Sequence, residues 1–111
     1  MATQTASRRQ ALNVVHLVGE VRTPPDLKYL ADGKAVIGFS LGIPPAKNAK
    51  DQTTQWFRVG AFEELAERVA KAIKQGDIVY VEGSIKGHAW IDKTGAARQS
   101  LDVTAWRIEL A

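Results

Sequence analysis

Two large aromatic side chains flank an arginine in one predicted strand of the chain. Trp56, Arg58 and Phe62 are separated by even numbers of residues, and side chains alternate across a strand, so all three share one face. The alternate residues, including Phe57 and Val59, form an apolar face that suits a core. Flat aromatic rings beside a positive charge have no role in a closed core, whereas nucleic-acid bases stack on such surfaces.

The composition excludes several other kinds of chemistry. The sequence contains no cysteine, so a disulfide framework, a thiolate metal site and a cysteine nucleophile are impossible. His16 and His88 are far apart and fit no ligand spacing, so neither a metal nor another cofactor is predicted. No nucleophile, base and orienting group stand together, and no glycine loop suits a phosphate. The chain is therefore not predicted to be an enzyme.

Length and charge predict one basic domain preceded by a short arm. The chain has 111 residues, 15 Lys and Arg against 12 Asp and Glu, and a pI near 9.4, which favours anionic partners. Residues 1–12 carry Arg8 and Arg9 without an acidic residue and are predicted to form a flexible basic arm, so the domain is residues 13–111. The longest apolar runs fall short of the roughly 20 residues of a membrane helix, and no membrane partner is expected.

Five main strands and one helix are predicted after the arm. The strands are Asn13–Val21, Ala35–Ile43, the strand carrying Trp56 to Phe62, Ile78–Lys86 and Ser100–Leu110, with a short piece at Leu27–Leu30 before the Asp32-Gly33 turn and a helix at Glu63–Lys74. A single helix between the third and fourth of five strands predicts an all-β OB-fold, a five-stranded Greek-key barrel. Other small β barrels remain possible at this point.

One predicted strand and the loop after it each have two alternative interpretations. One face of the strand Ala35–Ile43 carries only small residues besides Val36, which either opens it to a flat ligand or lets a barrel strand curve. The following loop, residues 44–54, is polar and contains Lys47 and Lys50. It is either a solvated loop or a basic arm that follows a phosphate backbone.

A second candidate surface follows in the last hairpin. Lys86, His88 and Trp90 share a face if the fourth strand continues past Lys86, and a turn is predicted at residues 92–95. Trp106 shares a face with Thr104 and Ile108 if the last strand alternates regularly, and it is interpreted as structural or interfacial.

The chain resembles bacterial single-stranded DNA-binding proteins through five collinear groups of residues. These are Asn13, Val15, Leu17 and Gly19; Pro25, Leu27, Tyr29, Gly33, Ala35, Val36, Phe39, Ser40 and Leu41; Trp56, Arg58, Val59, Phe62, Leu65 and Ala66; Gly76, Val79, Val81, Glu82 and Gly83; and Trp90, Asp92, Gly95 and Arg98. The resemblance implies a homotetramer, with a dimer as the alternative, that binds single-stranded DNA largely without sequence specificity. It also implies protection of strands in DNA replication, recombination and repair, in the cytoplasm with the nucleoid.

The resemblance assigns roles to individual residues. Three of the family's four stacking aromatics correspond to Trp56, Phe62 and Trp90, whereas the fourth is replaced by Lys47 or a neighbour. The candidate phosphate contacts are Lys34, Lys47, Lys50, Arg58, Lys86, Lys93 and Arg98.

The sequence departs from the family at its end, and two alternative functions remain. It stops at Ala111 without the flexible linker and acidic tip of the family, so recruitment of replication and repair proteins through such a tail is not predicted. The first alternative is a tail-less accessory protein of the primosome type. The second is a protein-interaction barrel that has no nucleic-acid partner.

Overall fold

The computed structural model describes residues 11–111 and contains one closed β-sheet. Its elements are β1 (Val15–Val21), β2 (Asp26–Tyr29), β3 (Ala35–Ile43), β4 (Gln55–Phe62), α1 (Glu63–Ala72), β5 (Ile78–Ile91) and β6 (Ala97–Leu110). The sheet order is β1-β5-β6-β4-β3-β2, and β1 also pairs with β3. Apart from the short β2, five main strands close into a barrel with the helix between the third and fourth. This confirms the predicted OB-fold.

Alternation of apolar side chains builds the core. In β3, Ala35, Ile37, Phe39 and Leu41 are buried, and the strand has the predicted bounds. The same alternation places Phe57, Val59 and Ala61 of β4 inside, as predicted. The other buried apolar side chains of the core are those of Val21, Ala66, Val69, Ile73, Val79, Val81, Val103, Ala105 and Ile108.

Helix α1 follows β4 without a loop and ends earlier than predicted. Glu63 has a φ of 58°, which turns the chain from the strand directly into the helix. The helix buries Ala66 and Val69 against the barrel, but Ile73 is already extended, so the helix ends at Ala72 and not at Lys74. The reason is that the chain must return to the barrel, where the Gly76 amide donates to the Val21 carbonyl at 2.7 Å. No helix within residues 11–111 is long and apolar enough to cross a membrane.

Several strand ends differ from the prediction. Strand β1 begins at Val15, because the side chain of Asn13 bonds to both the amide and the carbonyl of Ile85 instead of continuing the ladder. Strand β2 is shifted by one residue, to Asp26–Tyr29. Strands β5 and β6 pair up to Ile91 and Ala97, so both are longer than predicted.

A β-bulge changes the faces of β6. Glu82 pairs with Arg107 and Gly83 pairs with Ala105, so Trp106 is an extra residue in the ladder. A Cβ on Gly83 would lie 2.2 Å from the carbonyl oxygen of Thr104, which only glycine permits. As a result, Trp106 and Arg107 are both exposed, whereas Ile108 is buried.

Beyond the barrel, β5 and β6 continue as a two-stranded ribbon. Residues 87–91 pair only with residues 97–101, and most of these side chains are exposed. The ribbon ends in the turn at residues 92–95, as the sequence predicts.

Candidate nucleic-acid interface

The outer face of β4 carries the aromatic and basic residues that the sequence singles out. Trp56 is 49% exposed and Phe62 is 47% exposed, and Arg58 between them is also exposed. The alternation that buries Phe57 and Val59 therefore leaves this set on the surface.

Small residues of β3 lie beside this face. Ser40 pairs with Arg58, Gly38 with Gly60 and Gly42 with Trp56 in the β3–β4 ladder. The nearest atoms to a Cβ on Gly38 or Gly60 would be carbonyl oxygens at 3.7 and 3.8 Å, so these glycines are not needed for a close packing contact. They instead form the floor of an open groove of about 930 Å³. The bare face is therefore open at Gly38, whereas Gly42 on the same face is buried.

The groove reaches from β2 to the β5–β6 ribbon. Its rim includes Arg58 and Phe62 of β4, His88 of β5 and Asp102 of β6, together with Lys28 of β2. An open groove with a backbone floor and with aromatic and charged side chains along it can accept flat rings and a charged chain.

Trp90 lies on the same face of β5 as Lys86 and His88. Strand β5 continues to Ile91, which was the condition for this shared face. Trp90 is 43% exposed, and its ring stacks on that of His88 with centroids 5.4 Å apart and an angle of 24°. The three residues therefore form a continuous aromatic and basic surface along the end of β5.

Arg98 is close to Trp90, but a carboxylate already binds it. The two residues are cross-strand partners, and the Arg98 Nε donates to Asp92 Oδ2 at 2.7 Å. Asp92 also accepts hydrogen bonds from the Thr94 hydroxyl at 2.6 Å and from the amides of Thr94 and Ala96. The Thr94 hydroxyl and the Arg98 guanidinium lower the pKa of Asp92 from 3.8 to about 2. Arg98 thus helps to hold the turn at the tip of the ribbon.

The other candidate cations lie in turns. Lys34 follows the turn between β2 and β3, Lys47 and Lys50 lie in the loop between β3 and β4, and Lys93 lies in the ribbon turn. All four side chains are exposed, and none of them lines the groove. The structure therefore gathers Arg58, Phe62 and His88 around the groove, whereas Trp56, Trp90 and these four lysines lie outside its lining.

Sequence reasoning missed an acidic residue on this face. Asp102 is the partner of Arg58 in the parallel β4–β6 pairing and of Lys86 in the β5–β6 pairing. Its Oδ1 accepts a hydrogen bond from the Ser100 hydroxyl at 3.1 Å. The alternation of Ser100, Asp102 and Thr104 along β6 was visible in the sequence, but its position beside Arg58 depends on a long-range pairing.

Arg22 was also missed. It follows β1 directly, and its guanidinium carbon lies 5.1 Å from the centroid of the Trp56 ring. Nothing in the local sequence around Arg22 predicts this contact, which arises because β1 closes the barrel against β3.

A different surface surrounds the start of β5. Val18, Ile78 and Leu110 are exposed there, and the Trp106 indole N–H donates to Glu82 Oε1 at 3.0 Å. Trp106 is 52% exposed. The predicted shared face of Trp106 and Ile108 is wrong, since the bulge shifts the alternation by one residue and leaves Trp106 outside the core.

The fold and its surface define an OB barrel, a class whose strands and loops bind oligonucleotides or oligosaccharides. A profile of the single-strand binding protein family matches residues 12–111. The chain belongs to this family. The resemblance noted in the sequence is confirmed, and so is the prediction that the protein is not an enzyme.

Three relatives illustrate the extent of the similarity. The chain is 31% identical over 105 residues to single-stranded DNA-binding protein 1 of Xylella fastidiosa, covering 90% of this chain and 77% of the relative. It is 30% identical over 99 residues to the single-stranded DNA-binding protein of Neisseria meningitidis serogroup B, covering 86% of this chain and 57% of the relative. It is 29% identical over 93 residues to single-stranded DNA-binding protein 1 of Synechocystis sp., covering 84% and 77%.

Proposed function

We propose that this protein binds single-stranded DNA largely without sequence specificity and protects the strands during DNA replication, recombination and repair. The observation that carries the proposal is the position of Trp56, Phe62 and Trp90. All three are large rings, about half exposed. Phe62 lines the groove, Trp56 lies on the same outer face of β4, and Trp90 lies on the same face of β5 as His88, which also lines the groove. Rings in such positions stack on bases of any type, since every base has a π-face.

The cations supply the second part of the proposed mechanism. Arg58 and Lys86 lie on the outer faces beside the aromatic rings, and Lys34, Lys47, Lys50 and Lys93 are exposed in the adjoining turns. We assign phosphate contacts to all six and to Arg98. In this arrangement a strand lies along the groove with its bases on the rings, while the turns hold its phosphates. Arg8 and Arg9 of the predicted basic arm lie outside the described residues, and their charge would add to the same electrostatic attraction.

Self-association would use the surface around β1. Val18, Ile78, Trp106 and Leu110 are exposed there, and the edge of β1 that includes Val15 has no partner strand within the described residues. An exposed strand edge beside apolar side chains favours pairing with a second copy. We propose a homotetramer, with a dimer as the alternative. Such a protein would act where chromosomal DNA is single-stranded, in the cytoplasm at the nucleoid.

The proposal is tested by titrating the protein with oligo(dT) and with a duplex of the same length, using labelled DNA and fluorescence anisotropy. We expect clear binding to the single strand and much weaker binding to the duplex, because paired bases cannot stack on the rings. A mass measurement in solution reports the oligomeric state. Equal affinity for both DNAs, or none for either at low salt, would contradict the proposal. The latter result would favour a protein-interaction barrel, and a dimer that also captures a helicase or its loader would favour the primosome-type alternative.

A further inference from the structure

Arg22 is held against Trp56 by the backbone of the barrel. Its amide donates to the Ser40 carbonyl at 2.8 Å, and its carbonyl accepts from the Gln75 side chain at 2.9 Å. The guanidinium lies over the indole ring at 5.1 Å, within the range of a cation–π contact. Arg22, directly after β1, thus places a cation against the Trp56 ring, one of the three proposed stacking rings.

Gly42 makes room for this contact. It is the partner of Trp56 in the β3–β4 ladder and of Glu20 in the β1–β3 pairing. A Cβ at this position would lie 3.1 Å from Arg22 Cγ and 3.2 Å from Trp56 Cζ3. Any larger residue would therefore push the arginine and the indole apart.

The charge of Arg22 is left largely available. The one carboxylate that pairs with it in the described residues belongs to Glu20, at 3.8 Å from Arg22 Nη1. Both side chains are more than 40% exposed, at 44% and 41%, so solvent screens the pair and it contributes little. A guanidinium has five N–H donors in a planar fork, and a stacked guanidinium keeps these donors for a phosphate.

We propose that Arg22 is a DNA-contact residue. Its guanidinium adds a second planar group to the stack at Trp56 and binds the phosphate next to the base stacked there. The inference rests on the proposed function and adds to it a residue outside the predicted set. It differs from a purely structural role, in which Arg22 would only support the indole, and from a guarding role, in which a base would have to displace it.

The test compares Arg22→Ala and Arg22→Lys with the wild type and with Trp56→Ala, by anisotropy of labelled oligo(dT) at several salt concentrations. We expect Arg22→Ala to lower affinity about three- to tenfold and to reduce the magnitude of the salt slope by about 0.7, the share of one phosphate contact. Arg22→Lys should restore the slope but only part of the affinity, because an ammonium lacks the planar group. Arg68→Ala is the matched control, since Arg68 is exposed on α1 away from the groove.

The double variant Arg22→Ala, Trp56→Ala adds a second criterion. We expect it to lose less affinity than the sum of the single losses, because each residue supports the same nucleotide. Unchanged affinity and slope in Arg22→Ala, with Trp56→Ala weakened, would assign Arg22 a structural role and overturn the inference alone. Tighter binding by Arg22→Ala would establish the guarding role and overturn it as well. If the wild type fails to bind, the proposed function is lost together with the inference.

Discussion

Arg58 and Asp102 are direct partners in the parallel pairing of β4 and β6, so a carboxylate lies in the middle of the face that carries the proposed DNA contacts. Lys86 is the partner of Asp102 on its other side. The face is therefore not uniformly basic. A phosphate that approaches Arg58 or Lys86 also approaches a negative charge.

Asp102→Asn should accordingly strengthen DNA binding. At about 4 Å in water two unit charges repel by about 1 kcal/mol, so removal of the carboxylate should raise affinity for oligo(dT) about fivefold at low salt. Asparagine keeps an oxygen that can accept the Ser100 hydrogen bond. Glu64→Gln, an equal change of charge on exposed α1, should have a much smaller effect. Equal gains in the two variants would mean that only net charge matters.

Replacing Trp56, Phe62 or Trp90 by alanine should weaken binding and leave the barrel folded. Stacking contributes about 1 to 3 kcal/mol per base, so each change should cost about fivefold to a hundredfold in affinity. A core aromatic would instead cost about 3 to 5 kcal/mol of folding free energy on truncation. Thermal unfolding and oligo(dT) affinity are measured for each variant.

Trp106→Ala is the control for these three variants. Trp106 is similarly exposed but does not line the groove, and its indole N–H bonds to Glu82. Its loss should leave intrinsic affinity for a short oligonucleotide unchanged and lower the oligomeric state. A normal affinity for folded Trp56→Ala or Trp90→Ala would place the binding face elsewhere.

Binding should depend strongly on salt. If about four to six phosphates are neutralised per subunit, log affinity should fall with log salt concentration with a slope of about −3 to −4 for a single strand. Anisotropy titrations between low and moderate salt give the slope. A slope near zero would mean that the lysines of the turns are only a solvated surface.

Acid should loosen the turn at the tip of the ribbon. The pKa of Asp92 is about 2, below its ordinary value of 3.8, so the ionised carboxylate stabilises the turn above about pH 4 and this effect is lost as pH falls through about 2. Amide signals of Thr94 and Ala96, followed by NMR, should report the change. Asp92→Asn should abolish this acid transition, and its persistence there would assign it to another group.

Gly83→Ala should destabilise the protein. A Cβ would lie 2.2 Å from the Thr104 carbonyl oxygen, and overpacking of this kind costs about 1 to 3 kcal/mol or more. Gly87→Ala is the matched control in the same strand, because a Cβ there meets no atom within 4 Å. Chemical denaturation of both variants gives the comparison. Equal stability would show that the bulge can relax around a side chain.

Short-range patterns in the sequence were sufficient for most of the elements. The period-2 alternation of β3 and β4 predicted which residues are buried and which are exposed, because each strand has one face on the core. The helix was predicted from the helical spacing of its apolar residues, but its C-terminal end was not. The helix ends early because the chain turns back to the barrel, where the Gly76 amide donates to the Val21 carbonyl. This contact joins residues far apart in the chain.

The parts of the site that the sequence did not predict depend on pairing between distant strands. Asp102 meets Arg58 through the parallel β4–β6 ladder, and Arg22 meets Trp56 through closure of β1 on β3. The face of Trp106 depends on one extra residue opposite Gly83. Local periodicity contains no information about any of these registers.

The two-stranded ribbon separates the stability of the barrel from that of the surface around Trp90. Within the part of the chain that the structure describes, residues 87–91 and 97–101 have no third strand beside them, and an isolated pair of strands is marginally stable in water. We therefore expect the ribbon to open as its own cooperative unit, with faster amide hydrogen exchange than the barrel. A strand that stacks on Trp90 would slow this exchange, so part of its binding energy is used to order the ribbon.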